Sequence, residues 1–281
     1  MTVTAPPYAQ EMVLAPLPVS ISPSRIGAFT DCPRLFQYQA VDRLPSPASK
    51  WTLKGTLVHS ALEALFAVPA ASRTLEVALA GLEGAAASEE GARGFLEIGL
   101  TTSADIEAYV ADARVLVANY FALEDPTTID AVGVELRLEA DLSGDGDADA
   151  VHLRGILDRL DREPDGSLVV VDYKTGRAPA PGRERAKLAA VETYALLCER
   201  VLGERPVAVR LLHLREPVVI ERAIGASEVS RQERRTVQVW GAIERAHAAG
   251  EFRPSPGPLC RYCSFSDRCE GGAAYLARPA P

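Results

Sequence analysis

Residues 155–174 have the sequence GILDRLDREPDGSLVVVDYK, which predicts the β-hairpin around which the fold is built. The segment Pro164-Asp165-Gly166 suits a three-residue loop, because proline presets the first position of a type I turn and glycine takes the left-handed third position. In the register that this loop sets, Asp158 lies opposite Asp172. A two-residue loop would shift the register by one residue and place Arg159 opposite Asp172 instead.

The residues around the hairpin indicate a cation site. Two directly opposed carboxylates, Asp158 and Asp172, repel each other unless a cation lies between them. Lys174 projects on the same face as Asp172, whereas Asp161 falls on the other face. The run Val169-Val170-Val171 is typical of a strand buried on both faces, and burying a carboxylate and an ammonium without a task is costly. A surface hairpin with scattered charges is the alternative interpretation.

A helix predicted at about 51–67 offers further ligands. Gly55, His59 and Glu63 are spaced four residues apart, so they share one helix face. The glycine would allow close approach, and His59 and Glu63 could reach a metal ion or a phosphate. A histidine satisfied by packing is the alternative.

The cysteines are divided along the chain. Cys32 lies near the N-terminus, and Cys260, Cys263 and Cys269 lie near the C-terminus. Thiolates grouped in this way in an intracellular chain indicate ligands of a metal ion or cluster, and four thiolates satisfy both Zn²⁺ and an iron–sulfur cluster. Shared ligation would clamp the two ends together. Cys198 lies in an apolar stretch and is interpreted as a buried residue without such a role.

Bulk properties exclude several classes of protein. The net charge of −8 disfavours a protein that coats nucleic acid through a basic surface. Five cysteines in 281 residues are too few for a secreted disulfide scaffold. No signal peptide and no apolar run of about 20 residues is present, so we expect a cytoplasmic protein without membrane association.

The order of elements predicts an α/β protein with a mixed β-sheet flanked by helices. We expect a flexible lead-in at 1–20, a single domain at 21–270 and a tail at 271–281. Within the domain we predict a helical insertion at about 68–128, a core at about 130–225 and a Cys-rich segment at 255–270. The predicted strands lie at about 132–138, 151–163, 167–174, 207–215 and 217–224, and later helices lie at about 183–202 and 226–249.

Five separated motifs together resemble the RecB-type branch of the PD-(D/E)XK nuclease superfamily. Within it the chain is similar to the iron–sulfur members, which include the AddB nuclease domain and the CRISPR adaptation nucleases. The motifs are Ser24-Arg25-Ile26 with Cys32-Pro33-Arg34, Gly55 with His59, Gly155-Ile156-Leu157-Asp158-Arg159, Val171-Asp172-Tyr173-Lys174-Thr175-Gly176, and the C-terminal cysteine triad.

The resemblance implies a restriction-endonuclease-like fold and divalent-metal hydrolysis of DNA phosphodiesters. It assigns Mg²⁺ or Mn²⁺ to His59, Asp158, Asp172 and the main-chain carbonyl of Tyr173. It assigns to Lys174 the role of orienting the attacking water. The catalytic side chains that it implies are those of His59, Asp158, Asp172 and Lys174. It implies a 4Fe-4S cluster that joins the N- and C-terminal segments through Cys32, Cys260, Cys263 and Cys269. Candidate substrate-binding residues are Glu63, Arg177 and Tyr194.

One position departs from the family pattern. The family has a glutamine four residues before a tyrosine on the helix that follows the Asp-x-Lys strand; here Tyr194 is present, and residue 190 is alanine. The resemblance as a whole implies an exonuclease acting on single strands or DNA ends in repair or recombination. Ala190 supports the alternative, a weak or inactive module that binds DNA or a helicase. A redox protein would need a second cofactor motif. The sequence has no phosphate-binding loop of a helicase, so any unwinding would come from a partner.

Overall fold

A computed structural model of the chain describes residues 14–46, 48–142, 150–180, 182 and 185–278, with the backbone alone for residues 185–187. Residues 1–13 of the predicted lead-in and residues 279–281 of the predicted tail lie outside this part. The chain forms two compact units. One contains residues 14–19, 25–46 and 238–278, and the other contains residues 20–24 and the described part of 48–237.

The larger unit is built on a mixed sheet of five strands in the order β1-β2-β3-β4-β5. The strands are β1 (Asp130–Leu142), β2 (Val151–Arg162), β3 (Leu168–Lys174), β4 (Ala208–His213) and β5 (Val218–Ala223). Neighbouring strands are antiparallel except β3 and β4, which are parallel. The mixed sheet predicted from the order of elements is confirmed.

The hairpin between β2 and β3 has the predicted three-residue loop. The amide of Glu163 donates to the carbonyl of Ser167 at 2.8 Å, and Gly166 closes the turn with a φ of +90°. In the ladder, Arg159 pairs with Val171, so the next position in register places Asp158 opposite Asp172. The two-residue alternative is thereby wrong, because it would have placed Arg159 opposite Asp172.

The described helices precede, connect and follow the strands. They are α1 (Pro23–Asp31), α2 (Pro33–Phe36), α3 (Lys50–Phe66), α4 (Leu75–Ala87), α5 (Glu89–Glu97), α6 (Ser103–Tyr120), α7 (Arg185–Leu202), α8 (Ala226–Ala248) and α9 (Glu270–Leu276). Helix α3 begins after Ser49, whose hydroxyl accepts the amide hydrogen of Thr52 at 3.1 Å. This cap fixes where α3 starts and therefore which residues it presents to the sheet.

Both faces of β3 are covered. Val169, Val171 and Tyr173 pack into a core formed with α3, α4 and α6, and Val170 is also fully buried. Helix α7, which connects β3 to its parallel neighbour β4, packs against β1, β2, β3 and β4. The continuous valine run therefore belongs to a strand buried on both faces, as predicted.

The smaller unit brings residues from both ends of the chain together. The rings of Phe29 and Phe36 lie 6.4 and 6.1 Å from that of Phe252, and the ring of Tyr38 lies 5.3 Å from that of Phe265. Edge-to-face and stacked aromatic contacts of this kind stabilise a small core. Among the described residues, no helix is long and apolar enough to cross a membrane.

Candidate metal centre and cysteine cluster

The carboxylates of Asp158 and Asp172 lie where the pairing of β2 and β3 ends. The Oδ2 atom of Asp158 accepts a hydrogen bond of 2.7 Å from the amide of Tyr173. Asp172 is only 6% exposed. Burial raises the pKa of the Asp172 carboxyl above its usual range, and the charge of Asp158 raises it further, against the opposing effect of Lys174. Two carboxylates on neighbouring strands, one of them buried, favour a bound cation.

Lys174 lies within reach of this pair. Its ammonium contacts the Oδ2 atom of Asp172, and its side chain is about one-third exposed. The strand period places Asp172 and Lys174 on one face, so this contact follows from their spacing. Lys174 therefore combines a buried anionic partner with access to solvent, as a group that contacts a water molecule requires.

Helix α3 supplies the third side chain. The Nδ1 atom of His59 lies 3.4 Å from Oδ1 of Asp158, and its Nε2 atom lies 3.1 Å from the carbonyl oxygen of Tyr173. Burial lowers the pKa of His59, but the hydrogen bond to Asp158 and its charge raise it more, so the net shift is upward. The imidazole thus lies between the two groups that the resemblance assigns to the same metal ion.

Glu135 is a member of this site that the sequence did not predict. One donor atom from each of His59, Glu135 and Asp158 lies within 4.8 Å of the others. Glu135 belongs to β1, where its backbone has a left-handed φ of +45° just after a register shift between Ala131 and Gly133. Neither the shift nor the unusual backbone has a local sequence signal, because an isolated glutamate in a strand is ordinarily a solvent-facing residue.

An open cleft of about 380 Å³ runs beside these groups. Four of its lining residues are Gly55, His59, Glu63 and Glu135, so the predicted shared face of α3 forms one wall. Burial raises the pKa of Glu135, the charge of Asp158 raises it further, and His59 opposes both. A Cβ at Gly55 would lie 3.6 Å from Oγ1 of Thr175, an ordinary contact, so packing within the described protein does not require the glycine.

The candidate substrate residues take different positions. Glu63 lines the cleft, and Arg177 is exposed in the loop after β3. Burial raises the pKa of Tyr194 on α7, and the charges of Asp172 and Asp158 raise it further. Tyr194 is therefore near the carboxylates, whereas Ala190, one turn earlier on α7, is exposed and offers no polar group.

Gly155 has a packing role beside Tyr194. A Cβ atom at Gly155 would lie 2.7 Å from a ring carbon of Tyr194 and 2.9 Å from a methyl carbon of Leu197. Real Cβ contacts are longer than this, so glycine at this position allows α7 to pack closely against β2. The glycine of the Gly155–Arg159 motif thus determines how closely Tyr194 on α7 approaches β2.

The four predicted ligand cysteines lie in the smaller unit and line one cavity of about 190 Å³. All are free thiols. Three backbone amides each donate a hydrogen bond of 3.4 Å to a cysteine sulfur: Ser255 to Cys32, Gly257 to Cys260, and Gly272 to Cys269. Burial raises the pKa of Cys263, the amide of Phe265 lowers it, and charge on the other three sulfurs would raise it.

Four thiols around one cavity suit either a structural Zn²⁺ or an iron–sulfur cluster. Amide hydrogen bonds to sulfur are one means by which proteins tune iron–sulfur clusters.

Comparison with known proteins places the chain in a family. Residues 20–270 match the model of the PD-(D/E)XK nuclease superfamily. No curated protein is similar enough to count as a relative. Among 29 matching solved chains, a Eubacterium rectale protein described as a candidate exonuclease has 13% identity and a TM-score of 0.54, over 93% of this chain and 90% of that one.

A second solved structure, that of SSO0001, has 13% identity and a TM-score of 0.44, over 90% of this chain and 86% of that one. At such identity the structural likeness with the Eubacterium rectale protein concerns the fold alone. The mixed five-stranded sheet flanked by helices is consistent with the restriction-endonuclease-like fold. The match to the family model spans most of the sequence, and the chain belongs to the PD-(D/E)XK nuclease superfamily.

Proposed function

We propose that the protein is a metal-dependent DNA nuclease whose active centre is formed by His59, Asp158, Asp172 and Lys174. The observation that carries this proposal is the convergence of the four side chains at the end of the β2–β3 ladder, with Asp172 buried and facing a second carboxylate. Hard oxygen donors of this kind suit Mg²⁺ or Mn²⁺. The donor set therefore fits the cation that the family implies.

The metal ligands would be His59, Asp158, Asp172 and the carbonyl of Tyr173, with Glu135 as an additional carboxylate. When bound, the cation supplies Lewis acidity that offsets phosphate charge and lowers the pKa of the attacking water. Lys174 would donate a hydrogen bond to that water and orient its oxygen toward phosphorus. The attacking water would release a proton to solvent as the new P–O bond forms. The bond to the leaving sugar oxygen would break, and that oxygen would take up a proton from solvent.

We further propose that the substrate is a DNA single strand or end and that the enzyme is an exonuclease in repair or recombination. Glu63, Arg177 and Tyr194 would position the strand. The sequence contains no helicase motif, so a partner helicase would supply single strands from duplex DNA. We place the protein in the cytoplasm, where its free cysteines would remain reduced.

The test of this proposal is cleavage of labelled single-stranded DNA by the purified protein with Mn²⁺. We expect cleavage by the wild type and its loss, by at least about a hundredfold, in Asp172→Ala and Lys174→Ala. Glu76→Ala, on the exposed first turn of α4, serves as the matched control and should cleave like the wild type. Cleavage undiminished in both active-centre variants would contradict the proposal.

The alternative function is a nuclease-fold module that binds DNA or a helicase without turnover. The observation that favours it is Ala190, which leaves an apolar methyl group where the family has a glutamine. No cleavage of any DNA substrate by the wild type, combined with retained DNA binding, would support this alternative. Gain of cleavage in Ala190→Gln would show that the missing amide limits turnover.

We propose that Cys32, Cys260, Cys263 and Cys269 hold a 4Fe-4S cluster that joins the terminal segments. Four thiols around one cavity and amide donors to three of the sulfurs support the cluster. The competing ligand is a structural Zn²⁺. Iron and zinc analysis of anaerobically purified protein, with its visible absorption spectrum, separates the two; zinc without iron would contradict the cluster.

A further inference from the structure

Trp51 is the largest side chain among the exposed hydrophobic residues of the described structure. It lies in the first turn of α3, two residues after the N-cap Ser49, and is 67% exposed. Tryptophan offers a large aromatic face together with an N–H donor, a combination enriched where proteins bind partners. The same chain contains one other tryptophan, Trp240, which is only partly exposed on α8.

Trp51 is aligned with the proposed active centre. Trp51, Gly55 and His59 are spaced four residues apart along α3, so they share one helix face. The rise of an α-helix places Trp51 about 12 Å from His59 along the axis. Gly55 and His59 line the cleft beside the carboxylates, and the glycine between them presents no side chain that would block the path to Trp51.

Arg215 adds a positive charge to this position. Its guanidinium carbon lies 5.7 Å from the centre of the Trp51 ring, and the residue is exposed. The amide of the preceding residue, Leu214, donates a hydrogen bond of 2.9 Å to the carbonyl of Lys174. Arg215 is therefore the next residue after one whose backbone is hydrogen-bonded to the backbone of Lys174, the proposed catalytic lysine. Its charge lies beside the Trp51 ring.

We propose that Trp51 and Arg215 form a nucleotide-binding platform that holds single-stranded DNA beside the active centre. This inference rests on the proposed nuclease function. The indole stacks on a base, and the guanidinium contacts a neighbouring phosphate, so the strand continues across Gly55 toward His59. Stacking tolerates any base because every base has a π-face. In a protein with a net charge of −8, such stacking supplies affinity that overall charge does not.

Binding is measured with short oligothymidylate in EDTA, so that metal-dependent cleavage does not intervene. Oligothymidylate should quench tryptophan fluorescence in the wild type and in Trp240→Phe, the matched control that leaves Trp51 as the fluorophore. Anisotropy of the labelled oligonucleotide should show that Trp51→Ala raises Kd by about 5- to 140-fold. Trp51→Phe, which keeps an aromatic face, should bind more tightly than Trp51→Ala.

Arg215→Ala tests the phosphate contact separately. It should weaken binding and reduce the slope of log K against log salt by about 0.7, the value for one phosphate contact on a single strand. Equal Kd values for Trp51→Ala and the wild type, or quenching that is lost in Trp240→Phe, would overturn the platform. An unchanged salt slope in Arg215→Ala would overturn the role of the guanidinium.

Different experimental results would contradict the proposed platform and the proposed nuclease function. Lys174→Ala should bind and quench like the wild type while losing cleavage with Mn²⁺. Trp51-dependent binding without cleavage in the wild type would contradict the proposed function and support the platform. Cleavage by the wild type together with unchanged binding by Trp51→Ala would contradict the platform alone.

Discussion

The buried guanidinium of Arg159 donates a hydrogen bond of 2.8 Å to the phenol oxygen of Tyr173. Each residue follows a carboxylate of the site along its strand, Asp158 on β2 and Asp172 on β3. The backbone of Tyr173 in turn donates its amide to Asp158 and offers its carbonyl to His59. Arg159 therefore anchors the residue whose main chain links the members of the proposed metal centre.

Arg159 is fully buried within a set of polar and aromatic partners. It forms two hydrogen bonds of 2.8 Å to Asp161, one of 2.5 Å to Glu124, and stacks 4.5 Å from the ring of Phe66. Asp161 pairs with Val169 in the ladder and so lies on the face away from Asp158 and Asp172, as predicted. The acid excluded from the metal centre thus has a structural partner of its own.

Replacing Arg159 should destabilise the fold. Arg159→Met should lower the free energy of unfolding by about 3–5 kcal/mol in urea denaturation, because Asp161 and Glu124 would lose their buried counter-charge. Arg162→Met is the control; its partner Glu204 is 45% exposed, so we expect a loss of at most about 1 kcal/mol. Arg159→Lys, which keeps a charge, should fall between them. Equal losses for Arg159→Met and Arg162→Met would contradict the anchoring role.

The charge of Asp172 should lower the free energy of unfolding of the metal-free protein. Asp172→Asn should raise the free energy of unfolding by about 0.5–2 kcal/mol in EDTA, because it removes a buried charge that faces Asp158. The ammonium of Lys174 remains partly solvated when its partner is neutral. Asp130→Asn, at an exposed position of β1, should change stability by less than about 0.5 kcal/mol. A clear loss of stability in Asp172→Asn would show that the ion pair with Lys174 outweighs the repulsion.

Gly155 should not tolerate a methyl group. Gly155→Ala should lower the free energy of unfolding by about 1–3 kcal/mol, because the added Cβ would overlap Tyr194 and Leu197 and displace α7. Gly84→Ala offers the opposite case. A Cβ at Gly84 on α4 meets nothing within 4 Å, so the substitution should stabilise the protein by about 0.4–1 kcal/mol. Thermal unfolding of both variants measures the contrast, and equal effects would contradict the packing argument.

Cys32 should support both the cluster and the fold. Cys32→Ala should lose iron and lower the melting temperature by about 10 °C, which corresponds to about 3 kcal/mol, because ligation connects the ends of the chain. Cys198 is the matched control, since burial raises its pKa to about 12 and it belongs to α7. Cys198→Ala should keep its iron. Loss of iron from Cys32→Ala with unchanged thermal stability would count against the clamp.

The hairpin could be predicted because turn chemistry and strand burial are local. Proline and glycine at Pro164 and Gly166 set the loop length, and the valines of β3 indicate burial on both faces. Helix α3 was predicted at about 51–67 and extends from Lys50 to Phe66. The roles assigned to the individual site residues remain predictions, although the structure brings most of them together.

Glu135 and the partners of Arg159 could not be predicted in this way. Glu135 reaches the site through a register shift and a left-handed backbone that leave no local pattern. Arg159 on β2 bonds to Glu124, which lies 35 residues earlier, before β1. Contacts between distant segments depend on how elements pack, which local sequence patterns do not reveal.

Anomalous diffraction from a crystal soaked with Mn²⁺ and a short oligonucleotide tests the central claim most directly. The account predicts a manganese peak about 2.0–2.6 Å from carboxylate oxygens of Asp158 and Asp172 and from the carbonyl of Tyr173. The peak should vanish in Asp172→Ala. A peak away from these residues, or none at a Mn²⁺ concentration that supports cleavage in solution, would contradict the account.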